Sequence, residues 1–322
     1  GGELHVAGTF KWSSGSELRG LSSWQAPGWA DLLPLSALIR RAHDCLTVDL
    51  GNGPRLFIAG RIANGASERM IGRWDGATLS TYHGFQGDAY DLEVFDTGSG
   101  LELFCGTPSG VISSTDGEIW QGHGLFGHYR ALAAHDDGSG LALYAAGGIG
   151  PQHNALYDGV VRYDGNSWTP VGLGLGTGEF GQDVECLFSY DDGTGAKLYA
   201  GGTFTTSGGT PIAGFAVWDG VSWSEVGGGV EGAIHAMAAF DDGSGAGTAL
   251  YVGGDITAAG GAPASGLARW SGTGWDTAGT RIDGVSHRVH QLLQVNLPEF
   301  GGRALVVAVS YTHLRAHETF GY

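Results

Sequence analysis

The chain has 322 residues, of which 61 are glycine, and it carries a formal net charge of −17. The glycines follow no three-residue period, which excludes collagen, and a hydrophobic fraction of 42 % with ten tryptophans excludes a disordered chain. No apolar run is long enough to cross a membrane as a helix, and the negative charge argues against nucleic acid as a partner. This composition is typical of an all-β domain with many tight turns.

A short phrase recurs along the chain, in which a leucine and an aromatic residue are followed by small residues and glycine. Its aromatic position falls at His5, Phe57, Phe104, Tyr144, Tyr199 and Tyr251, with spacings of 52, 47, 40, 55 and 52 residues. Repeats therefore begin near residues 4, 56, 103, 143, 198 and 250, with a seventh start near 305. Periods of this length are typical of four-stranded propeller blades.

Two turn signals accompany the phrase. An acidic glycine turn such as Asp191-Asp192-Gly193 precedes it, and an Asp-Gly turn between aromatic residues, as in Trp218 to Trp223, follows it. Asp-Gly between two such runs favours a tight β-hairpin, because both turn residues tolerate positive φ. The repeat therefore predicts four short antiparallel strands, whose faces become buried when copies stack around an axis. We predict an all-β fold, a β-propeller of six to seven four-stranded antiparallel blades, with residues 1–309 as a single domain.

The two ends of the chain carry separate expectations. Gly1-Gly2 stands directly before a strand-like run, so we interpret the chain as a fragment of a longer protein. Residues 310–322 resemble a translated sequencing adapter and are expected to be a non-native tail.

The repeat resembles two known families. Tyr199-Ala200-Gly201-Gly202 followed by Trp218-Asp219-Gly220 is similar to the kelch repeat, and more so to the repeats of the cortical cell-polarity marker proteins and of similar secreted bacterial proteins. The resemblance covers residues 4 to about 309. It implies a propeller that serves as a binding module. Some kelch-type propellers, similar to galactose oxidase, carry copper, but their copper motifs are not matched here, so the resemblance implies no catalytic residue.

One polar position is shared by all the predicted innermost strands. Aligning the strands on their acidic turns places one set of residues six positions before each turn: His43, Tyr90, Arg130, Glu185, His235 and His290. In a propeller these residues would form a ring at one mouth of the central channel, where they could bind a small anion, a sugar or a metal. The other interpretation is a solvated channel lining. If the histidines take part, binding of an anion is expected to strengthen as the pH falls.

The acidic turns also have two interpretations, as calcium ligands or as turns stabilised by their own aspartate side chains. Hydrolase motifs are absent from the sequence. We therefore predict a non-enzymatic bacterial scaffold, secreted or at the cell surface, that binds a protein or a glycan and needs no cofactor. The alternative is a propeller enzyme, an oxidase or a hydrolase, with a site at the channel mouth around Arg130, Glu185 and His235.

Overall fold

The computed structural model describes residues 5–11, 17–25, 28–31, 39–64, 67–82, 87–148, 159–176, 184–276, 288–297 and 302–309. Within these ranges every regular element is a β-strand, which confirms the all-β class. None of the described residues forms a helix that could cross a membrane. The chain divides into two compact units, Gly1–Leu132 (unit 1) and Ala133–Tyr322 (unit 2). The predicted tail, 310–322, lies outside the described residues.

Unit 1 contains one three-stranded and two four-stranded antiparallel sheets, with the strands of each in sequence order. The strands are β1 (His5–Lys11), β2 (Glu17–Gln25) and β3 (Gly28–Asp31); β4 (Ile39–Val48), β5 (Arg55–Asn64), β6 (Ser67–Trp74) and β7 (Leu79–Thr81); and β8 (Asp91–Asp96), β9 (Leu101–Thr107), β10 (Gly110–Ser114) and β11 (Gln121–Gly122).

The remaining strands form three four-stranded sheets, one pair and two small additional sheets. The first sheet begins with a strand that starts in unit 1 and ends in unit 2. It consists of β12 (His128–Asp136), β13 (Leu141–Gly148), β14 (Val160–Tyr163) and β15 (Trp168–Pro170). The second consists of β16 (Val184–Asp191), β17 (Ala196–Gly202), β20 (Phe215–Trp218) and β21 (Trp223–Glu225), and carries the hairpin of β18 (Thr206–Ser207) and β19 (Thr210–Pro211).

The third of these sheets follows the same order. It consists of β23 (Ile234–Phe240), β24 (Ala249–Gly254), β27 (Leu267–Trp270) and β28 (Trp275–Asp276), while β22 (Val230–Glu231), β25 (Ala258–Ala259) and β26 (Ala262–Pro263) form a small sheet of their own. The strand pair is β29 (Val289–Leu297) with β30 (Gly302–Val309). Leu305, the seventh predicted repeat start, therefore lies in β30 and pairs with Gln294 of β29.

The recurring phrase forms the second strand of each four-stranded sheet, and burial explains its composition. In unit 2, Tyr199 and Phe215 of one sheet share an apolar cluster with Ile234 and Val252 of the next. The rings of Tyr199 and Phe215 stack with their centroids 5.7 Å apart. A sheet that is covered on both faces needs apolar residues on both sides of its central strands, which is why Leu and Tyr stand next to each other here.

The Asp-Gly hairpins form where the sequence predicts them. Trp218 pairs with Trp223 across one turn and Trp270 with Trp275 across another. In the first turn, Asp219 accepts hydrogen bonds from the backbone N–H groups of Val221 and Ser222. The aspartate thus closes the turn, and the paired indoles lie across its base, 5.4 Å apart in the first hairpin.

The acidic turns use their two aspartates in different ways. Asp136 accepts hydrogen bonds from the N–H groups of Gly138 and Gly140 and so holds the turn together. Asp137 instead accepts from the hydroxyl of Tyr144 at 2.8 Å and from the indole Nε1 of Trp218 at 3.3 Å. These bonds are those of a turn stabilised by its own side chains and by the neighbouring sheet. Calcium binding at these turns stays an untested prediction.

The contacts of Asp137 predict that the free energy of unfolding depends on pH in the acid range. Burial raises the pKa of Asp137, but hydrogen bonds from Ser139, Tyr144 and Trp218 outweigh it and bring the pKa to about 2. The folded protein therefore holds this carboxylate ionised more firmly than the unfolded chain, whose aspartate has a pKa of about 3.9. Its contribution to stability is complete above the unfolded pKa and is lost as the pH falls through the folded one.

We expect Asp137→Asn to be less stable than the wild type at pH 6, with the difference shrinking as the pH approaches 2. Chemical denaturation at a series of pH values measures this difference. A difference in the free energy of unfolding between the two proteins that stays constant from pH 6 to pH 2 would contradict the assigned role of the Asp137 carboxylate.

Candidate functional site

The predicted polar position coincides with an irregularity in the first strand of most sheets. Register shifts occur between Ala42 and Asp44 in β4, and the same kind of shift recurs in β16, β23 and β29. The residues at these shifts are His43, Glu185, His235 and His290. Tyr90 also belongs to this pattern, because it donates its N–H to the Gly106 carbonyl while Asp91 is the register partner of Gly106. Bulges re-aim a side chain and are frequent beside binding sites.

Glycines in the second strand allow the bulges to form. A Cβ atom on Gly60 would overlap the carbonyl oxygen of Arg41, and one on Gly254 would overlap that of Ala233. The bulged first strand therefore approaches the second strand more closely than any side chain permits. The last glycine of the repeated phrase, Gly60 or Gly254, is thus a requirement of the bulge that carries the polar residue.

In unit 1 the structure brings three of the predicted residues together. We call His43, Tyr90 and Arg130 the unit 1 arc. The rings of His43 and Tyr90 meet edge to face with centroids 5.3 Å apart. The guanidinium carbon of Arg130 lies 4.8 Å from the centroid of the Tyr90 ring, a cation–π geometry. His43 lies in β4 and Arg130 in β12, and Tyr90 directly precedes β8.

A carboxylate that the sequence analysis did not identify supports this arc. Asp88 is buried, and one of its oxygens lies 2.7 Å from Nε of Arg61. Its other oxygen is 3.5 Å from Arg41 and 3.9 Å from Nε2 of His43. Burial lowers the pKa of His43; Asp88 opposes this, and Arg41 and Arg130 add to it. His43 is therefore neutral at pH 7 and can both donate and accept a hydrogen bond.

In unit 2 the structure brings the other three predicted residues together. We call Glu185, His235 and His290 the unit 2 arc. Nδ1 of His235 lies 3.7 Å from a Glu185 carboxylate oxygen, and its ring is nearly parallel to that of His290, with centroids 6.3 Å apart. The bulges of β16, β23 and β29 position these side chains.

Two further residues complete the unit 2 arc, and the repeat pattern could not indicate them. Asp255 lies 3.2 Å from Nε2 of His235 and 3.1 Å from Nε of Arg288. Glu185 raises the pKa of His235 against the effect of burial, and Asp255 adds to the rise. Burial, followed by the charges of Arg288 and His235, lowers the pKa of His290. The two histidines therefore occupy different protonation states over a range of pH.

These contacts bear on the expectation that the binding of an anion strengthens as the pH falls. As the pH falls, the histidine of the unit 2 arc that gains a proton first is His235, which lies between the carboxylates of Glu185 and Asp255. Its positive charge is balanced by these two carboxylates.

Among the described residues, no group of three or more His, Cys, Asp or Glu side chains is arranged to hold a metal ion. The two arcs instead offer hydrogen-bond donors, acceptors and an aromatic face.

A serine and histidine pair elsewhere in unit 1 does not form a nucleophilic site. Ser113 lies 2.7 Å from Nε2 of His123, and its hydroxyl also donates to Glu102 at 2.7 Å. The serine is fully buried, and its proton already has a carboxylate acceptor. A catalytic triad needs the histidine between the serine and the acid and the serine open to substrate. This cluster serves the packing of β9 and β10.

Comparisons with known proteins bear on the fold. No family model matches the sequence, and no curated protein sequence matches it. The structure is similar to the extracellular domain of a protein from B. thetaiotaomicron described as a hybrid two-component system, with 13 % sequence identity and a TM-score of 0.55. The similarity covers 95 % of this chain and 37 % of that chain. At this identity the likeness shows the fold alone, and it supports a repetitive all-β architecture.

Proposed function

We propose that this chain is a non-enzymatic ligand-binding domain of a bacterial protein, secreted or at the cell surface, and that it binds a glycan at its two arcs. The observation that carries the proposal is that equivalent positions of neighbouring sheets place polar side chains close to one another within each unit. Convergent polar groups held by rigid strands are what a small-ligand site needs. The extracellular assignment of the structural neighbour agrees with this location.

The chemistry of the arcs favours a sugar. Each hydroxyl of a sugar both donates and accepts hydrogen bonds, so its site needs mixed partners. The unit 2 arc supplies carboxylate acceptors from Glu185 and Asp255 and a donor from Arg288. The unit 1 arc supplies a neutral imidazole, a guanidinium and the Tyr90 ring. A protein partner is the other outcome that the binding experiment distinguishes.

We further infer that the repeated sheets form a β-propeller of six to seven blades within a single domain, as the repeat length and the kelch-like phrase indicate. The supporting observation is the recurrence of four-stranded sheets in sequence order. In a propeller the first strands line the channel, which would place the arcs at its mouth. A crystal structure of the chain tests this, and a linear stack of sheets would contradict it.

The binding proposal predicts a loss of affinity when the unit 2 arc is removed. Glycans retained on an array are titrated by calorimetry against the wild type and a Glu185→Ala, His235→Ala double variant. Hydrogen bonds to charged groups contribute about 1.5–3 kcal/mol each, so the dissociation constant should rise at least tenfold. The matched control is Arg73→Ala with Glu118→Ala, which removes an ion pair of 2.8 Å outside both arcs.

Equal affinity in the wild type and the arc variant would contradict the proposed site. A wild type that retains no glycan but captures a purified surface protein through the same arc would replace the glycan by a protein partner.

One observation favours the enzymatic alternative. His235 has a raised pKa and lies between two carboxylates, which is the environment of a general acid. If the domain is a hydrolase, the retained glycan should be cleaved, and His235→Gln should abolish cleavage while leaving the glycan bound. Recovery of the intact glycan after prolonged incubation excludes this alternative.

A further inference from the structure

Two aspartates lie next to the unit 1 arc in the sequence and bond to the strands that carry it. Asp91 and Asp44 are both half-buried. Asp44 follows His43 in β4, and Asp91 follows Tyr90 at the start of β8. In the other repeats the same position holds Ala131, Cys186, Ala236 and Gln291. The pair is therefore a feature of unit 1 and no part of the repeat pattern.

The two carboxylates bond to the backbone of neighbouring sheets. Asp44 accepts the N–H of Leu92 at 3.0 Å, which joins β4 to β8. Asp91 accepts the N–H of Leu132 at 2.6 Å, which joins β8 to β12. The other oxygen of Asp91 accepts the same Leu92 N–H at 3.0 Å, so the two carboxylates converge on one donor.

We propose that Asp44 and Asp91 are positioning residues for the unit 1 arc: as a carboxylate clasp they tie together the three first strands that carry His43, Tyr90 and Arg130. The proposal deepens the proposed function, since it names residues that would set ligand affinity without touching the ligand. Every clasp bond lies within two residues of an arc member. A movement of β8 relative to β4 or β12 would separate the arc, and the clasp opposes that movement.

The protonation of the pair agrees with this role. The groups that face Asp91 are Asp44 from β4, Glu93 from its own strand, Cys105 from β9 and the Leu132 amide from β12. Within the described part of the chain, none of these groups is a cation. Burial, followed by the charge of Asp44, raises the pKa of Asp91 well above its ordinary value. Asp91 therefore takes up a proton at a higher pH than an ordinary aspartate, and a proton on Asp91 removes the repulsion between the two carboxylates.

The test uses the full chain and needs no ligand. The Tyr90 ring, 5.3 Å from His43, shifts the imidazole proton resonances of His43, and these are assigned by comparison with His43→Gln. In Asp91→Ala and Asp44→Ala the shift should move toward its value in the denatured chain. Asp91→Asn keeps one acceptor and a donor toward Asp44, so it should preserve the wild-type resonance.

The matched control is Asp96→Ala at the other end of β8. Asp96 also accepts two backbone N–H groups, those of Gly98 and Gly100, but it is exposed and belongs to its own turn. This variant should leave the His43 resonance unchanged. If Asp91→Ala does not fold, Asp44→Ala still tests the proposal. Asp44 is half-buried and accepts only one N–H group from β8, so its replacement removes fewer contacts.

Wild-type His43 resonances in both alanine variants would overturn the proposal, and an Asp91→Asn variant that behaves like Asp91→Ala would overturn the role of a proton on Asp91. Where a glycan is retained, its dissociation constant should rise at least tenfold in Asp91→Ala and stay unchanged in Asp96→Ala. A wild type that binds no glycan contradicts the proposed function but leaves the resonance test intact, so the two failures are distinguishable.

Discussion

Replacing Trp223 with alanine should lower the free energy of unfolding by about 3–5 kcal/mol, the usual cost of removing a large buried aromatic side chain. Trp223 is buried at the start of β21. Its ring lies 5.4 Å from that of Trp218, and its indole Nε1 donates to the Val171 carbonyl at 3.2 Å, a residue 52 positions earlier in the chain. The side chain therefore ties one sheet of unit 2 to the segment that follows the preceding sheet.

Trp168 provides the comparison for this prediction. It occupies the same place in its own hairpin, where it pairs with Tyr163 and stacks on it at 4.9 Å, but it is only half-buried. Trp168→Ala should cost about 1–2 kcal/mol, because less apolar surface is removed from the interior. Equilibrium denaturation followed by circular dichroism measures both variants. Equal costs at the two sites would contradict the difference in burial.

Gly254→Ala should also be strongly destabilising, by about 3 kcal/mol, the upper end of the usual cost of overpacking. The new Cβ would overlap the carbonyl oxygen of Ala233, which is backbone and cannot rotate away. Relief requires β23 to move away from β24 at the bulge that carries His235. We therefore expect the contact between His235 and Asp255 to be lost, and the pKa of His235 to fall toward its ordinary value.

Gly274→Ala is the matched control in the same unit. Nothing lies within 4 Å of a Cβ at Gly274, and its backbone is outside the left-handed region. Its stability should stay within about 0.5 kcal/mol of the wild type. Denaturation curves give the stabilities, and an NMR titration of the His235 imidazole gives the pKa. An unchanged His235 titration in a destabilised Gly254→Ala would show that the bulge does not set the site.

The amino-acid sequence by itself determined the strands, the hairpins and the candidate position. Trp218-Asp219-Gly220 specifies its turn through bonds between Asp219 and groups two and three residues away, and such local bonds leave a readable pattern. The order of Leu198 to Gly202, two large apolar residues followed by three small ones, follows from burial of the second strand. Because most repeats preserve these local requirements, aligning the repeats also identified the position shared by His43 and His235.

Only the tertiary structure decided how that position is built and what surrounds it. The bulge at His235 depends on the close approach of Ala233 to Gly254, which are 21 residues apart in the sequence. Asp88 and Asp255 reach the arcs from outside the first strands, and Asp44 and Asp91 meet at the Leu92 N–H because β4 and β8 lie side by side. Such contacts depend on which strands become neighbours. A single sequence shows which residues repeat, whereas the pKa values of His235 and Asp91 are set by charges and burial that exist only once the sheets have packed.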